Sequence, residues 1–134
     1  MKRGKVYRIE TYTRDFVQAN RQMVFAFGDN MARSGLGGQA AACRGEPNAV
    51  GVPTKWRPSR DEGAYFTDAD FLLDDVKRAL VEAFEALMQA LLAGKDVALP
   101  TRGLGTGLAE LPDRAPKIHE WIEKRMAALE AAGG

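Results

Sequence analysis

The residues best suited to chemistry lie in two glycine-rich stretches. Met23 to Phe27 is an apolar run that ends at Gly28, Asp29 and Asn30; after a turn-rich segment, Gly35, Gly37 and Gly38 open onto Gln39 and the alanines Ala40 to Ala42. That order reads as a buried strand, a polar bend, a glycine loop and a helix N-terminus. Glycine lets backbone N–H groups come close to a ligand, and a helix N-terminus favours negative charge. The second stretch, Thr101, Arg102, Gly103, Leu104, Gly105, Thr106 and Gly107, follows another apolar run, Val97 to Leu99, and Pro100. Two such loops, each leaving a strand, can meet at one edge of a sheet and share one anionic ligand.

Within this frame each side chain has an ordinary use and a functional one. Asp29 and Asn30 sit where the strand breaks, a common place for turn formers and caps; functionally, they would hydrogen-bond ribose hydroxyls or position a water. Gln39, in the first helical turn, would do the same or be plain surface. Lys55, Arg57, Arg60 and Arg102 are candidates to offset phosphate charge. Arg102 leads them because it lies inside a glycine loop. Trp56 and Tyr65 either stack on a base or pack beneath a long loop. Gly35 to Ala40 formally fits G-x-G-x-x-A, but the first glycine falls several residues after the strand. The next strand ends in Pro53, Thr54 and Lys55 with no acidic residue for a ribose, so a Rossmann site is not expected. No Walker A sequence occurs.

The elements that must position these residues follow from pattern. Val6 to Tyr12 is rich in β-formers and predicts an edge strand. Thr13 caps a short helix over Arg14 to Ala19 that Asn20 closes. Asn48 to Thr54 predicts a short strand that Pro53 ends or confines to an edge. Lys55 to Phe66 is a long loop, a length that in compact domains goes with function or mobility. From Thr67 or Asp68, the apolar positions Leu72, Val76, Leu80, Ala83, Leu87 and Leu91 recur at helical spacing up to Gly94. After Leu111, Pro112 and Asp113, a last helix carries Ile118, Trp121, Ile122 and Leu129 inward, and Ala131 to Gly134 should fray. Strand and helix alternate throughout, which argues for a three-layer α/β sheet with ligands at the carboxyl ends of its strands.

Composition bounds the rest. A chain of 134 residues with a formal net charge of +1 is sized for one domain, residues 1–134, and lacks the field of a strong nucleic-acid binder. A basic loop at 55–60 keeps a non-catalytic nucleic-acid or protein interface as the less favoured alternative. Cys43 is the only cysteine, so no internal disulfide forms; a buried structural thiol is favoured over a nucleophile. His119 is the only histidine, so no metal site and no cofactor are expected. No signal peptide or membrane span is visible, and a cytoplasmic location is the expectation. The sequence sets no oligomeric state.

The segments FAFGDN-MARSGLGGQAAA and VALPTRGLGTGLAEL together resemble the macro domain, the ADP-ribose-binding family. Its pattern is a strand ending in Asn, a Gly-rich stretch and a helix, then a later strand into Pro and a Ser/Thr-Gly loop. The whole chain also resembles a family of small bacterial and phage proteins, without an established activity, that carry VFVFGDN, GLGGQA, RGEPNAVGIPTK and GTGLA blocks. The macro-domain resemblance implies a three-layer α/β fold with a mixed, mostly parallel sheet flanked by helices. It also implies an ADP-ribose or NAD-derived nucleotide ligand and, in some members, hydrolysis of an ADP-ribosyl bond. Asn30 matches the asparagine at the distal ribose, and Gly35, Gly37 and Gly38 the loop beside it. Gly103, Gly105, Thr106 and Gly107 match the diphosphate loop; Gly28, Gln39, Thr101 and Arg102, which the family pattern does not assign, complete the candidate ligand-binding set. Hydrolysis needs an oriented water, which makes Asp29 the candidate base, with Asn30 as its catalytic neighbour. The family's early Gly-Asp-Ile segment has no counterpart in the N-terminal strand. A bulky β-branched residue at Gly105 or Gly107 is expected to abolish binding while folding largely survives.

Overall fold

The computed structural model describes residues 2–134. Four strands, β1 (Val6–Ile9), β2 (Met23–Asp29), β3 (Ala49–Pro53) and β4 (Asp96–Pro100), form one sheet in the order β1-β4-β2-β3. All pairings are parallel, where a mixed sheet was expected. The reason lies in the connections. Every link between successive strands carries a helix: α1 (Arg14–Ala19), α2 (Ala40–Cys43) and α3 (Asp74–Leu92). A helical crossover returns the chain to the starting end of the sheet, so the next strand runs parallel. β1, expected at an edge, is one, and β3, which Pro53 was expected to end or confine to an edge, ends at Pro53 and forms the other.

Alternation along the central strands divides the core in two. Val24, Ala26, Val97 and Leu99 pack with Val52 against α3, through Val76, Leu80, Phe84, Leu87 and Leu91, and against the C-terminal helix through Ile118, Ile122, Met126 and Leu129. Phe25, Phe27 and Ala98 face the other way, onto Tyr12, Val17, Ala40, Ala42 and Cys43. The sheet is thus covered on both faces, by long helices on one and short ones on the other. Local signals explain the short side: Thr13 Oγ1 accepts the Phe16 N–H at 3.1 Å, and Asn20 Nδ2 donates to the Phe16 carbonyl at 2.8 Å.

Two helices differ from the sequence pattern. The segment from Thr67 is not continuous with α3. Thr67 and Asp70 close a capping box on a 3₁₀ turn, Asp68–Leu72, and Leu73 is extended at φ −79°, ψ 129°. Asp70 also accepts the Trp56 indole N–H at 3.2 Å, which ties the turn to the preceding loop. Leu72, predicted in the buried stripe, is 74% exposed. The last helix is likewise split into α4 (Leu111–Arg114) and α5 (Pro116–Ala132). Pro116 biases Ala115 away from helical backbone, and Ala115 sits at φ −142°, ψ 66°. The C-terminal residues do not fray: α5 persists to Ala132, and the Gly134 N–H donates to the Gly4 carbonyl at 2.8 Å. No described helix is long and apolar enough to cross a membrane.

Candidate functional site

β2 and β4 are neighbours in register, Val24 beside Val97 and Phe25 beside Ala98. Their carboxyl ends therefore lie side by side, and the two glycine loops leave the sheet together. With the loop after β3 they enclose a cleft of about 850 Å³. The loops touch. A β-carbon built on Gly37 would lie 3.0 Å from Leu108 Cδ1, and one on Gly35 would lie 2.8 Å from Pro58 Cβ. Gly28 forms part of the floor, where a β-carbon would sit 3.8 Å from both Gly105 N and Thr54 Oγ1.

The N–H groups of Gly35, Leu36, Gly37, Gly38 and Gln39 donate to no acceptor among the described residues. Nor do those of Gly105, Thr106, Gly107, Leu108 and Ala109, and all ten residues line the cleft. Gly35, Gly38, Gly103 and Gly105 hold positive φ of 89°, 59°, 88° and 78°, which only glycine adopts freely. Backbone N–H groups left without partners around a concavity make a site for a negatively charged ligand.

Two arginines hold the first loop in shape. Asp29 is buried and its carboxylate receives Arg44 Nη2 on one oxygen and Arg33 Nη1, at 3.1 Å, on the other. Arg44 also donates to the carbonyls of Gly35, at 2.7 Å, and Ser34, at 3.1 Å; Arg33 donates to the Gly51 carbonyl at 2.9 Å. A peptide's C=O and N–H point in opposite directions, so drawing the Ser34 and Gly35 carbonyls onto Arg44 turns the next N–H groups away from it. Asn30 is buried, lines the cleft, and braces the same loop: its amide donates to the Ser34 carbonyl at 2.8 Å. Asp29 therefore acts as a clamp here. Each of its oxygens accepts one guanidinium donor.

The other predicted residues divide as follows. Gly28, Gln39, Arg102, Gly103, Gly105, Thr106 and Gly107 line the cleft; Thr101 does not. The Thr101 N–H instead donates to the Ile9 carbonyl at 3.1 Å and extends the pairing of β1 with β4. Gln39 bridges, with Oε1 accepting the Tyr12 N–H and Nε2 donating to the Glu10 carbonyl. Thr106 Oγ1 donates to the Arg102 carbonyl within its own loop. Arg102 is 83% exposed, at the rim near Glu10. Trp56 packs edge-on against Phe66 under the loop. Tyr65 is covered by cations, with Arg114 and Lys55 at 3.7 and 4.3 Å from its ring centre. The 55–60 segment presents no continuous basic strip. Lys55 is buried, Arg57 faces Asp61 at 3.9 Å, and Arg60 lines the cleft. Arg44, Ser34, Thr54 and Leu108 were not singled out by sequence. The one signal for Arg44 is its place a turn beyond Ala40, at the C-cap of the helix that the first loop opens onto.

Cys43 is fully buried beneath α1 and the sheet, and burial pushes its thiol up to about 12. The thiolate is the reactive form. Iodoacetamide at neutral pH should leave the folded protein unlabelled and modify Cys43 only after denaturation; prompt labelling of native protein would place the thiol at the surface.

No curated protein and no solved structure matches the chain. The model of a family of unknown function, DUF7831, matches residues 7–125, a span that holds all four strands apart from the first residue of β1 and both glycine loops. The chain belongs to the DUF7831 family of proteins of unknown function.

Proposed function

We propose that this protein binds ADP-ribose or a related NAD-derived nucleotide in a macro-like domain, with the diphosphate cradled by both glycine loops. The observation that carries this reading is the double row of cleft-lining residues at adjacent strand ends whose N–H groups have no acceptor among the described residues. Such donors, fixed in place before the ligand arrives, suit phosphate oxygens. A cleft of about 850 Å³ has the volume typical of nucleotide-sized ligands. Asn30 and the Gly35–Gly38 loop would meet the distal ribose. With Asp29 taken up by two arginines, the geometry favours binding over hydrolysis of an ADP-ribosyl bond.

Gly107 provides the test. It has no positive φ, and a β-carbon there would meet nothing within 4 Å. Gly107→Val should therefore fold normally while placing a branched side chain among the proposed donors. Calorimetry should show ADP-ribose binding to the wild type weakened at least tenfold in Gly107→Val, with the melting temperature unchanged. Equal affinity in both proteins, or no binding to the wild type by ADP-ribose, NAD or AMP, would remove the reading.

A further inference from the structure

The glycine loops account for one anion, yet the cleft holds two further cations without counter-ions. Lys55 is nine-tenths buried and lines the cleft beside Arg60. Neither has a carboxylate within 4.0 Å among the described residues, in contrast to their neighbours. Arg57 faces Asp61, and Arg114 is paired with both Glu62 and Glu110. Glu110 is the acidic group that acts most on Lys55, and its own contact goes to Arg114 at 3.4 Å. The Lys55 ammonium rests over the Tyr65 ring and makes one hydrogen bond, to the Ser59 carbonyl at 2.6 Å. Its other two N–H donors are uncommitted. Burying an ammonium without an opposite charge is costly, and burial lowers the Lys55 pKa below that of a free lysine. A fold that keeps this group in place against that cost gains when an anion arrives. The Lys55 segment is also fixed: the Met31 N–H donates to the Lys55 carbonyl at 2.9 Å, and Lys55 pairs with Tyr65 in an antiparallel bridge.

We propose that Lys55 and Arg60 form a second anion subsite, distinct from the glycine loops, that takes a phosphomonoester. The assignment rests on the ligand reading above only in treating the cleft as one binding site. It implies a ligand with a terminal phosphate in addition to the group held by the loops. An ammonium point charge and a guanidinium fork together suit a phosphate dianion.

The test uses the whole protein and inorganic phosphate, read by thermal unfolding in a non-phosphate buffer at constant ionic strength. Saturating phosphate well above its Kd should raise the wild-type melting temperature by about 3–6 °C. Gly107→Val removes any response from the glycine loops, and in that background the shift should vanish on adding Lys55→Met, whose side chain keeps an apolar stem over Tyr65, or Arg60→Ala. It should persist in Gly107→Val alone. A shift lost in Gly107→Val but kept in Lys55→Met would put the phosphate on the glycine loop and overturn the subsite. No shift in the wild type, or an equal one from acetate, would overturn it as well. A parallel titration with ADP-ribose keeps the two ideas separable. Its binding to wild type and Lys55→Met alike, with no phosphate response, would leave the loop reading standing and the subsite refuted. Should Lys55→Met fail to fold, Arg60→Ala alone decides, because Arg60 is exposed and makes no hydrogen bond or ion pair among the described residues.

Discussion

Asp29→Ala is expected to lower the unfolding free energy by about 2–4 kcal/mol, the range for breaking a buried ion pair after allowing for partly exposed partners. The Asp29 side chain is 3% exposed, whereas Arg44 and Arg33 are 21% and 45% exposed. Water can therefore rehydrate the arginines in part, which keeps the loss below that of a fully enclosed pair. On the proposed function, the same change should weaken ADP-ribose binding, because Arg44 loses the anchor from which it holds the Ser34 and Gly35 carbonyls. A base would behave differently: its removal would impair turnover and leave stability and affinity nearly intact. Denaturant midpoints and calorimetry on Asp29→Ala and Arg44→Ala, singly and together, give the answer. Non-additive losses are expected, since the two residues form one unit. An Asp29→Ala protein as stable as the wild type would refute the clamp.

Gly105→Val is expected to lose stability as well as binding. The residue holds φ of 78°, and a β-carbon there would lie 2.9 Å from Leu111 Cδ2 and 3.0 Å from Thr54 Cγ2. Left-handed backbone costs about 1–2 kcal/mol and overpacking about 1–3 kcal/mol, so a total of about 2–5 kcal/mol is expected. Leu111 is fully buried at the start of α4 and has no free direction in which to move. This corrects the expectation that both second-loop glycines tolerate a side chain structurally. Gly107 is the open one; Gly105 is also a packing position. Urea denaturation of the two valine variants should separate them by at least 2 kcal/mol; equal midpoints would contradict the packing at Gly105.

Much of the scaffold was legible because its signals are local. The Thr13 cap, the Asn20 stop, Pro53 at the end of β3 and the apolar runs of β2 and β4 each depend on a few neighbouring residues. The glycine loops were legible for the same reason. What escaped depends on contacts between distant residues. Leu72 keeps the helical period of α3, but Asp70 is drawn to Trp56 and closes the turn early. Arg33 and Arg44 have no periodic relation to Asp29, and a polar bend reads alike whether its acid is free or clamped. Lys55 looks like any loop lysine until Tyr65 and Ser59 enclose it. The strand order and uniform parallel direction arise from where the helices pack, which no single segment encodes.

The adjacency of β2 and β4 has a kinetic consequence. These strands pair across all of β3 and α3, so the site is built from contacts far apart in sequence. Non-local pairing of this kind forms late and slowly, because a long loop must close before any contact compensates for the lost chain entropy. A nascent chain released before β4 emerges holds one glycine loop and no cleft. Ligand cannot rescue such an intermediate; it can only trap molecules that have already completed the sheet. On the proposed function, stopped-flow unfolding and refolding should show added nucleotide slowing unfolding while leaving the folding rate unchanged.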